Sequence, residues 1–378
     1  MKIAFDAKRV FNNQTGLGNY SRVLTRQLVK QFPENNYFLY TPKVKIFNEF
    51  LSTEPNVKRI LPTGIISKTL SSIWRKSLLR KELLKKEIKI YHGLSNELPV
   101  GIDKTTIKSI VTIHDLIFLK YKKNYPWIDK QIYTQKFRSA VNRADKVIAT
   151  SIQTKRDIMS NYGTEPSKIV VIYQDCDDGF KKVFTERQKY AVAKKYNLPG
   201  SYILSVGTFE RRKNHLSLLK AFHALNNDHF QLVLVGKRGD AYPEIIDFIK
   251  KNKLKDKVII RQNIDFIDLP VIYQSAHLFV YPSFYEGFGI PILEALHSRI
   301  PVITSNISSM PEVAGNAAIL VDPTDLKQLT KALKMGISDY DLRTQLLENA
   351  LGQLKQFDSS LLAEKLMDVY QSLLKPEY

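Results

Sequence analysis

The chain has 378 residues, of which 44% are hydrophobic and 25% charged, with one cysteine and a formal net charge of +20. That length allows two domains, each with a sizeable core, and the composition excludes wholesale disorder and collagen-like repeats. The single cysteine, Cys176, excludes an internal disulfide and a cysteine-based zinc cluster and favours a reducing compartment.

The N-terminal MKIAFDAKRV enters a strand directly, without the apolar stretch of a signal peptide. Strands are predicted at Ile3–Phe5, Tyr37–Tyr40, Ile110–Ile113, Lys146–Ala149, Ile169–Ile172, Tyr202–Val206, Gln231–Val235, Val258–Ile260, Leu278–Val280 and Pro301–Thr304. Helices are predicted at Asn19–Gln31, Lys130–Ala144, Leu216–Leu225, Ile290–Ser298 and Ser359–Leu374. Most of the strands are continuous Val/Ile/Leu runs, the pattern of a parallel sheet covered on both faces. Their alternation with helices gives right-handed crossovers and a doubly wound α/β class. The cycle restarts near residue 201, after a polar segment, Asp175 to Gly200, that reads as linker and hinge. The expected division is residues 1–185, residues 186–358 and a final helix within 359–378. Periodicity does not fix where that helix goes; a return to the first domain is one destination. Two such domains place a cleft between strand carboxyl ends, where doubly wound sheets bind ligands. No window reaches the roughly 18 apolar residues of a membrane span.

Four motifs carry candidate chemistry. Thr15-Gly16-Leu17-Gly18-Asn19-Tyr20 follows the first strand and opens a helix. Gly16 and Gly18 let the backbone approach an anion, and a helix N-terminus offers N–H groups to phosphate. The third glycine of a dinucleotide fingerprint and the Gly-Lys-Ser/Thr of a P-loop are missing, and a plain tight turn is the alternative. Second, the run from Val206 and Gly207 through Glu210-Arg211-Arg212-Lys213-Asn214 sets three adjacent cations at a strand end. They repel one another unless an anion sits among them, and phosphate suits Arg and Lys; a solvated basic turn is the alternative. Third, PSFYEGFGIPILEAL (Pro282 to Leu296) runs from a strand end through a Gly-rich loop into a helix with Pro291 in its first turn. Glu286 and Glu294 bracket that helix start, where carboxylates bind sugar hydroxyls and the Gly287 and Gly289 amides suit a diphosphate; a capped helix with incidental carboxylates is the alternative. Fourth, Ile113-His114-Asp115-Leu116 ends a strand. His114 can donate a hydrogen bond to a sugar, act as acid or base, or serve structurally, bonded to Asp115.

Taken together, EGFGIPILEAL, with seven residues between Glu286 and Glu294, the SVGTFERRKN stretch and TGLGNYSR closely resemble family 4 retaining glycosyltransferases. The resemblance runs from Met1 through the Ser305–Gly315 region. It implies the GT-B fold: two Rossmann-like domains facing a central cleft, residues 1–185 on the acceptor side and residues 186–358 binding the nucleotide sugar. It also implies transfer of a sugar from a nucleoside diphosphate sugar, with retention and with neither cofactor nor metal. Under it, Arg212 and Lys213 neutralise the donor diphosphate and Glu286 contacts hydroxyls of the transferred sugar. Phe288, Gly289 and Ile290 offer backbone amides to sugar and phosphate, and Glu294 holds the ribose hydroxyls. Gly16 and Gly18 close over the phosphates, Gly207 joins the donor-binding set, and His114 lies near the reacting sugar. Similarity to bacterial mannosyltransferases of surface-polysaccharide pathways, carried by FDAKRV, TGLGNYSR and YHGLSNELP, implies GDP-mannose as donor, with a UDP-sugar as the alternative. Two departures stand out. The hinge reads Tyr173-Gln174-Asp175-Cys176-Asp177 where an Asn-Gly-type turn is common, and its acidic pair mimics a DxD metal motif although its place in the hinge argues against metal. Gln262-Asn263 stands where a glycine is frequent in the base-binding region.

The charge is one-sided. Residues 1–200 hold 37 Lys and Arg against 17 Asp and Glu, whereas residues 201–378 hold 20 of each. Such an excess suits an anionic partner, membrane phospholipid or nucleic acid, or else a merely soluble surface. No reader motif for nucleic acid is evident, so no nucleic-acid partner is expected. Within Lys68–Lys89, Leu70, Ile73, Trp74, Leu84 and Ile88 share one arc of a helical wheel, and Leu79 and Leu83 fall opposite. A basic helix of this kind rests on anionic lipid or packs as an ordinary two-faced helix. The expectation is a cytoplasmic enzyme, peripheral on the inner membrane face, with a saccharide or lipid-linked acceptor. Rival readings are a nucleic-acid-binding protein and a non-catalytic sugar-nucleotide-binding subunit.

Overall fold

The computed structural model describes residues 1–63, 74–121 and 127–375. Two compact units make up the chain: Met1–Asp175 with Phe357–Tyr378, and Cys176–Gln356. The division falls at Cys176, ahead of the expected boundary at residue 186. The polar segment that reads as a linker is in large part a surface helix, Glu186–Tyr196, whose N-terminus is closed by a reciprocal capping box between Thr185 and Gln188. Asp175 Oδ2 accepts the Ser359 amide at 3.2 Å, and Asp177 Oδ1 accepts the Gly179 amide at 2.9 Å, so each hinge carboxylate caps a backbone.

In the first unit seven parallel strands form one sheet: β1 (Lys2–Asp6), β2 (Asn36–Tyr40), β3 (Val57–Ile60), β4 (Ile90–Gly93), β5 (Lys108–Ile113), β6 (Lys146–Ala149) and β7 (Ile169–Val171). Their order is β3-β2-β1-β4-β5-β6-β7. Alternation along β1 sends side chains to opposite faces. Ile3 and Phe5 join Leu24 and Leu28 of helix Gly16–Gln31 and Leu362, Leu366 and Tyr370 of helix Ser359–Leu374. Ala4 joins Trp74, Leu83, Val141 and Ile158 on the other face. The C-terminal helix thus completes the first unit. Its Tyr370 hydroxyl meets His92 Nδ1 at 2.6 Å, and His92 Nε2 meets Thr112 Oγ1 at 2.8 Å. Burial pushes the His92 pKa down to about 3, so this core imidazole is neutral.

From Trp74 onward, the described part of the basic segment packs as an ordinary two-faced helix, on a different arc from the one expected. Lys68, Leu70 and Ile73 lie outside the described residues. Trp74, Leu79, Leu83 and Ile88 are buried, and Leu84 is 43% exposed. The wheel errs because Trp74–Leu78 is a π-turn that precedes the α-helix Leu79–Lys85, which rotates the later residues. No helix among the described residues is long and apolar enough to cross a membrane.

In the second unit a six-stranded parallel sheet comprises β8 (Tyr202–Val206), β9 (Gln231–Val235), β10 (Val258–Arg261), β11 (Leu278–Tyr281), β12 (Val302–Ser305) and β13 (Ala318–Val321). Their order is β10-β9-β8-β11-β12-β13. Each sheet therefore reverses its winding once, between β1 and β4 and between β8 and β11. In doubly wound sheets that reversal opens a crevice at the strand carboxyl ends, where ligands bind.

Candidate active site

The loops leaving β8 and β11 flank the second unit's crevice, and side-chain hydrogen bonds fasten them together. A 3-10 turn, Arg211–Lys213, ends at Asn214, which adopts a left-handed φ of 58°. From there Asn214 Nδ2 donates to the Pro282 carbonyl at 3.1 Å and the Pro323 carbonyl at 2.9 Å. A Cβ added at Gly207 would make only an ordinary contact, 3.5 Å, with two Lys213 side-chain carbons.

Two cations converge on a single oxygen. Arg212 Nη1 is 2.7 Å and Lys213 Nζ 2.8 Å from Glu286 Oε1. Arg212 also donates to the Tyr285 carbonyl at 2.7 Å and to Glu210 at 3.0 Å. Lys213 bonds the Tyr281 hydroxyl and lies 4.7 Å from that ring's centre. Burial alone would raise the Glu286 pKa, but Lys213 and Arg212 overcome it and hold the carboxylate at about 2. Burial lowers the Lys213 pKa, and Glu286 opposes the shift. The expected three-cation cluster therefore splits. Its third member, Arg211, is exposed and pairs with Asp240 and Glu244.

The Gly-rich loop is pinned from behind. Ser308 Oγ donates to the Glu286 carbonyl at 2.8 Å and accepts the Glu286 amide at 3.1 Å. Ser309 Oγ bonds the Glu286 and Phe288 carbonyls at 3.0 and 2.7 Å. Gly289 caps helix Ile290–His297 at a φ of 114°, a conformation that suits glycine. Within that helix Glu294 is 7% exposed, and its Oε2 accepts the Tyr273 hydroxyl at 2.8 Å. Burial raises the Glu294 pKa to about 7, with Tyr273 opposing. The two carboxylates thus differ in kind: Glu286 is firmly ionised, and Glu294 is poised to titrate. Beyond β10, Asn263 takes a φ of 57°, so it supplies the turn that a glycine would make.

The remaining candidates belong to the first unit. His114 is 5% exposed, its Nε2 meets the Leu94 carbonyl at 2.9 Å, and its ring stands edge-on to Tyr20 at 4.7 Å. A carbonyl only accepts, so Nε2 carries the proton and Nδ1 is an acceptor. Burial lowers the His114 pKa to about 4. That geometry removes the expected role as hydrogen-bond donor or proton source at neutral pH. It also replaces the Asp115 pairing, because Asp115 Oδ1 accepts the Ile117 amide instead, at 3.0 Å. Gly16 is open, with nothing within 4 Å of an added Cβ. Gly18 is closed: an added Cβ falls 1.9 Å from the Asn13 carbonyl oxygen, and its amide already bonds the Thr15 carbonyl at 2.9 Å.

Sequence reasoning missed Tyr273, Tyr281, Ser308 and Ser309 as supports of the site. Tyr281 was legible as a strand end beside the motif. The serines gave no signal, because what they hold is backbone more than twenty residues away.

Comparison with known proteins follows the same lines. Residues 15–177 match the family model described as Glycosyltransferase Family 4, and residues 183–353 match Glycosyl transferases group 1. The Escherichia coli O-antigen chain mannosyltransferase B is 28% identical over 391 aligned positions, covering 99% of this chain and 100% of that protein. The O-antigen chain mannosyltransferase RfbU of Salmonella typhimurium is 32% identical over 224 residues, 59% of each chain. Among solved structures, Anabaena HepE in complex with UDP and glucose superposes with a TM-score of 0.74 at 16% identity, over 98% of this chain and 99% of that one.

Proposed function

The chain belongs to the family 4 glycosyltransferases of GT-B fold, and we propose that it moves mannose from GDP-mannose to a saccharide or lipid-linked saccharide, with retention and without a metal. The observation that carries this reading is the convergence of Arg212 and Lys213 on Glu286 at the second sheet's crevice, beside Glu294.

One Glu286 oxygen bridges both cations, and Glu210 sets a second negative charge beside Arg212. A donor diphosphate has the charge to take the place of the bridging oxygen, which leaves Glu286 to accept hydroxyls of the bound sugar. As the anomeric carbon–oxygen bond breaks, its electron pair passes to the leaving diphosphate, the acceptor's hydroxyl oxygen bonds the same carbon, and the hydroxyl's proton goes to the departing phosphate oxygen. Arg212 and Lys213, already fixed and largely dry, stabilise that growing charge without reorganising. Two fixed cations supply the positive charge that a divalent ion brings to other phosphate-handling sites. Ionised Glu294 holds the ribose hydroxyls. The names of the O-antigen mannosyltransferases support mannose; the UDP and glucose bound to HepE keep a UDP-sugar as the alternative. The exposed Lys81, Leu84 and Lys85 support peripheral attachment to an anionic membrane at its cytoplasmic face.

Thermal stabilisation and hydrolysis across a panel of GDP- and UDP-sugars test the donor, and NMR of the product anomer tests retention. GDP-mannose is expected to stabilise most and to give a product of unchanged configuration. A larger effect from a UDP-sugar, or an inverted product, overturns the corresponding part.

A further inference from the structure

We propose that Tyr281 is a positioning residue for the transfer step: its hydroxyl keeps Lys213 aimed at the donor diphosphate after Glu286 has given up the cations. The inference deepens the transferase reading above and rests on it.

The two cations are not held alike. Arg212 bonds Glu286, the Tyr285 carbonyl and Glu210, and the last two contacts remain when a diphosphate replaces the Glu286 oxygen. Lys213 has two hydrogen-bond partners among the described residues, Glu286 Oε1 at 2.8 Å and the Tyr281 hydroxyl. Once Glu286 is displaced, the phenol oxygen is the one that stays. A lysine needs such a partner more than an arginine does, because its ammonium is a point charge on a flexible stem, with no planar fork to fix its direction.

Tyr281 is itself held still. It ends β11 and is 2% exposed. Its ring stacks on Phe279, with centres 6.0 Å apart and planes 19° from parallel. Phe279 lies in turn 5.0 Å from Tyr273, whose hydroxyl bonds Glu294. Thr304 Oγ1 donates to the Tyr281 carbonyl at 2.8 Å, which ties the end of β11 to β12. One aromatic stack thus presents a hydroxyl at each end, to the lysine at one and to the carboxyl at the other.

The chemistry of the partner matters as much as its place. A carboxylate there would orient Lys213 but would also cancel its charge and compete with the diphosphate. A phenol orients without cancelling. Burial, and then Glu286, push the Tyr281 pKa well above the usual tyrosine range, so the hydroxyl is neutral. The ring face attracts the ammonium, 4.7 Å from its centre, again without net charge. Lys213 therefore keeps both its charge and its direction, the condition for stabilising charge that grows in the transition state without reorganising.

Steady-state kinetics of Tyr281→Phe test the role, with GDP-mannose as donor or the UDP-sugar that the donor panel selects. The variant keeps the ring, the stack and the cation–ring contact and loses one oxygen. Its kcat should fall about tenfold, the scale of one hydrogen bond to a charged group. Its KM for the donor should stay within about twofold of the parent's, because the contact acts on charge that appears only in the transition state. A double-mutant cycle separates positioning from mere support: combined with Lys213→Ala, Tyr281→Phe should change kcat by less than about twofold, since no ammonium is left to aim. A structural role would cost the same factor with or without the lysine. An undiminished kcat in Tyr281→Phe, or equal losses in the two backgrounds, overturns the proposal and leaves the transferase reading standing; a parent chain that turns over no sugar nucleotide overturns both.

Discussion

Replacing Glu294 with Gln should stabilise the protein while weakening its grip on the donor, and the stabilisation should depend on pH. The carboxyl is buried and its pKa is raised from an ordinary 4.5 to about 7. A carboxyl held more tightly as the acid in the folded state favours folding below its unfolded pKa. That contribution declines as pH rises from about 4.5 and is gone once pH passes the folded value near 7. At about 1.4 kcal/mol per pH unit, the ionised side chain costs the fold roughly 3 kcal/mol at about pH 8 and under roughly 1 kcal/mol at about pH 5. Gln is of similar shape and still accepts the Tyr273 hydroxyl, so Glu294→Gln removes the charge and little else. Burying its amide NH₂ adds a cost, but one independent of pH. Urea denaturation at both pH values therefore isolates the charge: the variant should gain about 2 kcal/mol relative to the parent between about pH 5 and about pH 8. Its affinity for GDP-mannose should fall in parallel. A stability difference that stays constant across that range would falsify the account of Glu294 as a carboxyl whose ionisation is opposed by its burial.

Other outcomes follow from the same geometry. Arg212→Ala and Lys213→Ala should each lower activity by about two orders of magnitude, the scale of one preorganised stabiliser of transition-state charge; unchanged kinetics and unchanged donor calorimetry in both would sink the diphosphate clamp. Activity should survive excess EDTA, and full loss that Mn²⁺ or Mg²⁺ restores would refute metal independence. Gly18→Ala should lose about 1–3 kcal/mol to overpacking against the Asn13 carbonyl, whereas Gly16→Ala should melt like the parent; equal melting temperatures by circular dichroism would contradict the close approach. Cosedimentation with anionic vesicles should be strong at low salt, weak at high salt and reduced by Lys81→Gln with Lys85→Gln, since each such cation contributes about 1 kcal/mol within a Debye length; equal binding to neutral vesicles would count against electrostatic docking.

What the sequence revealed was what local pattern encodes. Buried strands such as Tyr202–Val206 and Gln231–Val235 have the predicted bounds, because both faces are covered and each residue is apolar or nearly so. The edge strand Val57–Ile60 escaped notice: its burial is partial, and Lys58 and Arg59 break the apolar run. Ile90–Gly93 was hidden for another reason, since four residues ending in His and Gly resemble a turn although all four are buried. The residues of the donor motif were visible, but their pairing was not. Glu286 lies 73 residues beyond Lys213, and only the β8–β11 neighbourhood brings them together. His114 shows the same limit, because its chemistry is decided by the Leu94 carbonyl rather than by its sequence neighbour.

The helix Ser359–Leu374 also sets an order of events during synthesis. Its Leu362, Leu366, Met367 and Tyr370 complete a core whose other residues were translated before Cys176. Cys176–Gln356 leaves the ribosome as one uninterrupted block and can finish folding first. At about 5–20 residues per second, the first-made unit waits roughly 10–40 seconds for its last helix, with Phe5 and Leu24 still uncovered. Nascent chains in that interval are the ones that chaperones should capture. A nonsense mutation just before Ser359 would accordingly damage the sheet translated earliest and spare the unit translated immediately before it.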